Sequence, residues 1–463
     1  GGVPIKTEPT ASVNDVNQAR NSVKEVYDQI ISDMEASEPL VPNITELGFS
    51  GAVSKSAVRG VLARVNLTMA GNPLKDQSRY AEAKKWAKMV IDDPVASHAM
   101  NPSYPEIFMN MAGDIYDIKE SIFEVEFSGN GLDQYSETGN QGWINGPAAA
   151  NGSATGRADS YMSITAKFYN IYEPGDSRKF WDIAHFSYTN TQINGSKNLN
   201  NPPATEAAKY TLRPGKWRRE YEKMLPKNHA RATPENVPIL RFTDVLLMYA
   251  EAENALNGPT QEVIDIVNSV RWRGWAKGVK TITVTNGGSG YSSTAPPEVV
   301  ISNGNGQNAE ATATVDAAGK ITAITLKRDP SGVDFYLHGI YTSPPTITIQ
   351  GGNGTGATAE ATIYTQDDAK LSTARSGSKE AFHQALIDER MRELNGEGQR
   401  KADLLRWGIF LQVMQDMANT AQGDSPGSFF VNWYSNASAK DLLMPIPAAE
   451  MTTNLAMEQN PGW

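Results

Sequence analysis

Acids and arginines alternate most densely in Asp388-Glu389-Arg390-x-Arg392-Glu393-Leu394-x-x-Glu397-Gly398-x-Arg400-x-x-Asp403-Leu404-x-Arg406-Trp407-Gly408. Two facing carboxylates can divide into a general acid and a general base. Here each acid has an Arg within three or four residues along a helix, which keeps carboxylates ionised instead of poised near neutrality. Glu389, Arg390, Glu393, Arg400, Asp403 and Arg406 are therefore expected to form a structural ion-pair network that ties two helices together through bidentate contacts. On that reading, replacing a buried Arg400 by Met leaves an acid unpaired and costs roughly 3 kcal/mol or more.

A second chemistry is offered by residues 128–236, which lose helical periodicity and are rich in Gly, Asn, Pro and aromatics. Long loops in a compact domain are usually functional or disordered, and so many aromatics argue for order. A sugar ring packs its apolar C–H face on a flat aromatic side chain, while Asn, Gln, Asp and Arg satisfy its hydroxyls. Tyr135, Asn140, Trp143, Tyr161, Trp181, Tyr188 and Trp217 are the glycan-binding candidates. Any single one of these aromatics reads more readily as a loop anchor packed on helices. For the loop region as a whole, binding is favoured.

Other catalytic chemistry is poorly supplied. None of His98, His185, His229, His338 and His383 stands in HxH or HExxH spacing, so no metal site is expected. Gly351-Gly352-Asn353-Gly354-Thr355-Gly356 lacks the Lys-Ser/Thr and the following helix of a phosphate loop, and reads as a cluster of β-turns. Cysteine is absent, which removes thiol nucleophiles, thiolate metal sites and disulfides together. No cofactor and no catalysis are expected. A net charge of -10 argues against nucleic acid as the main partner. No apolar run approaches the roughly 18–20 residues of a membrane-spanning helix.

Amphipathic spacing predicts helices over 13–36, 54–70 and 78–92, the last two joined by a short turn at Gly71-Asn72-Pro73. Further pairs are expected at 243–256 with 260–273, and at 378–394 with 400–418. Three spaced helix pairs suggest a helical-repeat scaffold, and their lengths suit tetratricopeptide-like units. With 463 residues, about three ordinary domain lengths, an insertion or repeat is anticipated.

Residues 277–366 read differently, holding 13 of the 39 Gly and none of the 15 Met. Period-two runs such as I-T-V-T, E-V-V-I-S and T-I-T-I-Q are separated by Gly/Asn turns. Pro296-Pro297-x-Val299-x-Ile301 through Ala309-x-Ala311-x-Ala313-x-Val315 recurs 48 residues later as Pro344-Pro345-x-Ile347-x-Ile349 through Ala357-x-Ala359-x-Ala361-x-Ile363. A small all-β module inserted between two helix pairs accounts for this, since loop closure grows only slowly with length.

Phe382-x-x-x-Leu386-Ile387-x-Glu389-Arg390-x-x-Glu393-Leu394-x-x-Glu397-Gly398-x-Arg400, with Leu443-Met444-Pro445-Ile446-Pro447 and the final Gln459-Asn460-Pro461-Gly462-Trp463, resembles the SusD/RagB family of outer-membrane nutrient-binding lipoproteins. So do Pro238-Ile239-x-Arg241 with Tyr249-Ala250-Glu251-Ala252, Val267-Asn268-x-Val270-Arg271-x-Arg273, and Gly2-Val3-Pro4-Ile5. The resemblance covers nearly the whole chain apart from the β segment. It implies a mostly helical fold with an irregular ligand face, non-catalytic capture of glycans or, in some members, peptides, and delivery to a SusC-type TonB-dependent transporter. It also implies a cell-surface lipoprotein whose anchor Cys, and a further N-terminal section, lie outside this sequence.

The expectation is thus a mainly α protein: a tetratricopeptide-like helical-repeat scaffold with long irregular loops and an inserted small all-β domain. Residues 1–276 form the first part of the helical body, with ligand-binding loops at 128–236. The β-repeat module spans 277–366, and 367–463 complete the body. The expected function is capture of an oligo- or polysaccharide at the bacterial outer-membrane surface and its delivery to the transporter, the alternative being a peptide- or protein-binding component of an analogous uptake complex. Membrane contact is expected only through the lipid anchor.

Overall fold

The computed structural model describes residues 2–12, 15–132, 137–223, 226–227 and 231–463. Gly1, Val13, Tyr135 and His229 lie outside the described residues. The main helices are α1 (Val23–Ser37), α2 (Lys55–Ala70), α3 (Arg79–Ile91), α4 (Phe242–Asn257), α5 (Gln261–Arg273), α6 (Lys379–Glu393), α7 (Arg400–Arg406) and α8 (Phe410–Asp424). One core joins α1 to α6 through Ile31, Leu62, Leu67, Val90, Val245, Val267 and Leu386. This apolar stripe shows the three- and four-residue spacing that made the helices legible.

Two expected helices differ from the observed ones. The first starts at Val23 because Ser22 and Glu25 form a reciprocal capping box, Glu25 N donating to Ser22 Oγ at 3.2 Å and Ser22 N to Glu25 Oε2 at 2.7 Å. Upstream, Gln18 N is instead taken by Asn454 Oδ1 at 2.9 Å. The span 400–418 is broken into α7 and α8 at Gly408, whose φ of +73° is left-handed. A Cβ there would lie 2.3 Å from Asn72 Nδ2, so both conformation and packing demand glycine.

Strand β1 (Ser121–Val125) pairs antiparallel with β2 (Val237–Arg241), Ser121 opposite Arg241. This ribbon delivers Glu120 and Arg241 side by side beneath the loops. Between α5 and the short helix Gln366–Ala369 stand β3 (Val279–Ser289), β4 (Glu298–Ser302), β5 (Ala311–Val315), β6 (Ile321–Leu326), β7 (Thr346–Gln350) and β8 (Thr355–Ile363). They form one antiparallel sheet in the order β6-β5-β4-β7-β8-β3.

The sequence duplication reappears as register. Glu298 faces Thr312 in the first copy and Thr346 faces Glu360 in the second, each pair 48 residues from its counterpart. The copies meet at the centre, where Ile301 faces Ile347 and Val299 faces Ile349. The strands ahead of each copy are exchanged: β3 pairs with the second copy and β6 with the first. Consequently the first and last strands are neighbours, Val279 beside Ile363, and the segment leaves the helical body where it entered. The sheet also curls until β3 meets β6, where a Cβ on Gly287 would lie 2.8 Å from the Ile321 carbonyl oxygen. Its interior is filled by Tyr291, Ala311, Ala313, Ile321 and Ile324.

Candidate functional site

Asp159 organises the exposed loop face. Its Oδ2 accepts from Trp143 Nε1 at 2.9 Å and from the Tyr161 hydroxyl at 3.2 Å, while Arg157 Nε donates to Oδ1 at 2.6 Å. The Arg157 hydrogen bond is the main cause that holds the Asp159 carboxyl below its ordinary range. Trp143 and Tyr161 meet edge to face, ring centres 5.5 Å apart. Arg231 sits 5.2 Å above the Trp143 ring. Backbone bonds from Asp159 N to Trp143 O and from Tyr161 N to Ile144 O, both 2.9 Å, lock this loop segment to the short helix Gln141–Asn145. Tyr161 is 63% exposed, Asn140 is exposed and Trp143 is half-buried. The arrangement commits the Asp159 carboxylate to holding the loop and leaves the Tyr161 ring exposed beside the half-buried Trp143 indole.

Beside it, a cavity of about 210 Å³ opens between this loop and the α6–α7 turn, lined by Asn145, Met162, Phe168, Met391, Gln399 and Arg400 among others. Its walls are chiefly apolar, with amides and a guanidinium at the edge, the composition of a small-ligand cleft.

Three of the predicted binding residues are corrected. Trp181 is 0% exposed, Trp217 1% and Tyr188 7%, so none stands on the exposed loop face; Trp217 instead forms part of the wall of the 210 Å³ cavity. Arg218 covers the Trp181 ring at 3.8 Å; Trp217 packs against Phe108 and donates Nε1–H to Gly396 O at 3.1 Å; Tyr188 packs against Phe186 at 5.2 Å. Irregular chain has no periodic apolar stripe, so its largest rings do the anchoring. Tyr135 lies outside the described residues.

Beneath the loops runs a buried seam of ion pairs. Glu393 accepts from Arg178 Nη1 at 2.9 Å and pairs with Arg241 at 3.2 Å and with Arg273. Glu389 pairs with Arg178 at 2.7 Å and Arg392 at 2.6 Å. Arg390 bridges Asp403 at 2.8 Å and Asp244 at 2.6 Å, and Arg406 joins Asp403 to Glu251. Burial pushes the Glu389 carboxyl upward, but Arg178, Arg392 and Arg271 together hold it well below the ordinary range. Against the same burial, Arg273, Arg241 and Arg178 bring Glu393 down to about 2. Asp182 goes the other way: burial takes it up to about 6 despite Lys216 and the hydroxyls of Tyr172 and Tyr104. Arginine-clamped carboxylates of this kind give rigidity and have no proton to trade at neutral pH.

Arg400 is corrected as well. It donates to the Ile387 carbonyl oxygen at 3.0 Å and lies along Trp407 at the cavity edge, instead of joining a carboxylate. The partners that sequence reasoning missed, Glu120, Asp176, Arg178, Asp244 and Arg273, come from segments more than a hundred residues upstream. One signal was available: Asp244 and Glu251 are acids flanking the apolar run 245–250 of α4.

A family model described as SusD family matches residues 119–295 and 356–463. A second, described as starch-binding associating with outer membrane, matches residues 1–67. The SusD-like protein P2 of Formosa agariphila is 23% identical over 281 residues, which is 59% of this chain but only 52% of that relative, about half its length. Among solved structures, a SusD homolog from Bacteroides thetaiotaomicron superposes with a TM-score of 0.66 at 21% identity, covering 97% of this chain and 72% of its own. Surface glycan-binding protein A from Bacteroides thetaiotaomicron, solved in complex with laminarihexaose, gives 0.52 at 16% identity, covering 96% and 72%. These likenesses show a shared fold.

Proposed function

The chain belongs to the SusD family, and from that premise we propose that it captures an oligo- or polysaccharide at the bacterial outer-membrane surface and delivers it, chemically unchanged, to a SusC-type TonB-dependent transporter. The observation that carries the reading is the Asp159 hub, which holds Trp143 and Tyr161 at right angles on an exposed, backbone-locked loop. Tyr161 offers a ring face for stacking, and Asn140 and Asn145 stand within the same short segment to receive hydroxyls. The ligand class is supported by solved relatives, one bound to laminarihexaose and one called a laminarin-binding SusD-like protein. Outer-membrane association is supported by the description of the second family model. Among the described residues no helix is long and apolar enough to cross a membrane. The helix pairs are read as a tetratricopeptide-like scaffold, and residues 277–366 as a module inserted into it.

Calorimetry with laminarihexaose and a panel of plant, host and microbial glycans tests the proposal. At least one glycan should bind, and Trp143→Ala or Tyr161→Ala should weaken it tenfold or more while the melting temperature stays within a few degrees. Binding of peptides alone would replace the glycan reading with its protein-binding alternative. Release of new reducing ends would overturn the absence of catalysis.

A further inference from the structure

A second cleft, of about 450 Å³, lies where the curled sheet meets the helical body. It shares no lining residue with the cavity beside Met162. Ser177 and Phe180 form the body side; Asp334, Tyr336, His338 and Tyr364 form the sheet side. Ile282, Ile324 and Leu326 supply an apolar floor. Its size falls within the roughly 300–1,000 Å³ of small-ligand sites, and seams between structural units are where such sites concentrate.

The polar groups in this cleft are positioned, yet not used up. Asp329 accepts from Ser331 N at 2.8 Å and from Asp334 N at 2.9 Å, which builds the turn that presents Asp334. Asp334 Oδ1 accepts from Phe335 N at 2.6 Å, and among the described residues Oδ2 accepts nothing. His338 Nδ1 stands 2.7 Å from Val279 O, an acceptor, which makes Nδ1 the donor and leaves Nε2 a free acceptor when the ring is neutral. The imidazole is held edge-on between Tyr336 at 5.9 Å and Tyr364 at 5.7 Å. Neither tyrosine hydroxyl meets a hydrogen-bond partner among the described residues. Lys280, the one amine in the wall, is committed to Asp368 at 2.5 Å.

Two aromatic rings over an aliphatic floor suit an apolar C–H face. A carboxylate oxygen, an imidazole nitrogen and two phenols suit several hydroxyls. An anionic ligand would face Asp334 with no unpaired cation to meet it, and a cationic one would find a single carboxylate beside an imidazole. We propose that this cleft is a second carbohydrate site, taking a neutral saccharide of about two rings, with Asp334 and His338 binding hydroxyls and Tyr336 and Tyr364 packing on the sugar. The family match stops at 295 and resumes at 356, so Asp334, Tyr336 and His338 come from the unmatched segment. The site therefore stands apart from the exposed loop face and does not depend on it.

Saturation-transfer NMR on the full chain carrying Trp143→Ala and Tyr161→Ala, which disables the loop face, isolates the cleft. Maltose, cellobiose and laminaribiose are the probes. At least one should show transfer, and Thr325→Trp, an exposed lining position whose new ring fills the cleft, should abolish it. Asp334→Asn should weaken the same probe at least fivefold, and covers the case in which Thr325→Trp disturbs the sheet. No transfer with any of the three disaccharides overturns the proposal, as does transfer that neither substitution alters. Either result leaves binding at the loop face of the unsubstituted chain to be judged separately.

Discussion

Beneath the loops of the helical body, Glu393 alone takes ion pairs from Arg178, Arg241 and Arg273. The β sheet, by contrast, fills its interior with Ile, Val and Ala around Tyr291, and a second small cluster gathers on Tyr341. Both regions must fix chain that no long helix holds. The body does so with directional contacts between segments remote in sequence, and each contact fails if one partner moves. The sheet does so with a repeated alternation whose register is written twice. Charge pairs specify one arrangement of irregular loops at the cost of desolvating every partner. Alternating aliphatics specify a face and tolerate exchange along it.

Acid should break this contrast most completely. Glu389, Glu393, Glu251 and Asp244 are all held below the ordinary carboxylate range by arginines that outweigh burial. Depressed carboxylates stabilise the fold above the unfolded value of about 4.3 and lose that contribution as pH falls through their folded values. Asp182, raised to about 6, has the opposite sign, and its contribution is lost as pH rises through about 6. Burial also raises Glu235, to about 8, and Glu124 and Glu222, which share the sign of Asp182. Groups of that sign lose nothing further in acid, whereas the arginine-clamped acids do, so the body should unfold cooperatively between about pH 4 and pH 2. All nine Trp lie outside residues 277–366, so their fluorescence reports the body alone. A fluorescence signal unchanged down to pH 2 would show that the seam is not stabilising.

A single substitution tests the same seam at neutral pH. Arg241→Met strands Glu120 and takes one partner each from Glu393 and Glu397, and should cost about 3–5 kcal/mol in chemical denaturation. In the sheet the sharper test is symmetry. Ile301→Ala and Ile349→Ala remove equivalent residues of the two copies, 48 positions apart on adjacent central strands, and each should cost about 2 kcal/mol, equal to within about 0.5 kcal/mol. Unequal costs would mean that the duplicated text no longer performs duplicated packing. Gly408→Ala comes next, at about 1–2 kcal/mol, because the left-handed turn between α7 and α8 resists a Cβ and Asn72 must move.

The two regions also differed in how much of them could be read in advance. Four of the sheet's six strands were legible as alternating runs, a local signal; β3 was read short and β8 only as part of the 48-residue repeat, and the exchange of β3 and β6 between copies was not legible. Helices α2 to α6 were legible for the same reason. The candidate binding face was legible only in part. Composition pointed to the loop region, yet Trp181 and Trp217 are buried and Trp143 and Tyr161 are not, and nothing within one residue's neighbourhood in sequence distinguishes them. What distinguishes them is whether Phe108, Arg218 or Gly396 arrives from elsewhere to cover the ring. The ion pairs carry the same lesson, since the acids of α6 were visible and most of their partners were not.

Arg400 isolates that lesson in one side chain. Spacing on the helix placed it with Asp403 and Glu397, and a large cost on removal was the natural expectation. In the structure Arg390 and Arg406 already occupy both oxygens of Asp403, and Arg241 with Lys216 occupies Glu397. Arg400 is left with the Ile387 carbonyl and the edge of the 210 Å³ cavity. Arg400→Met therefore strands no acid and forfeits one hydrogen bond, about 1 kcal/mol. Side-by-side melts of the Arg241 and Arg400 substitutions should differ by more than about 2 kcal/mol. Equal losses would mean that Arg400 belongs to the seam after all, and that charge spacing along a helix was a sufficient guide to its partners.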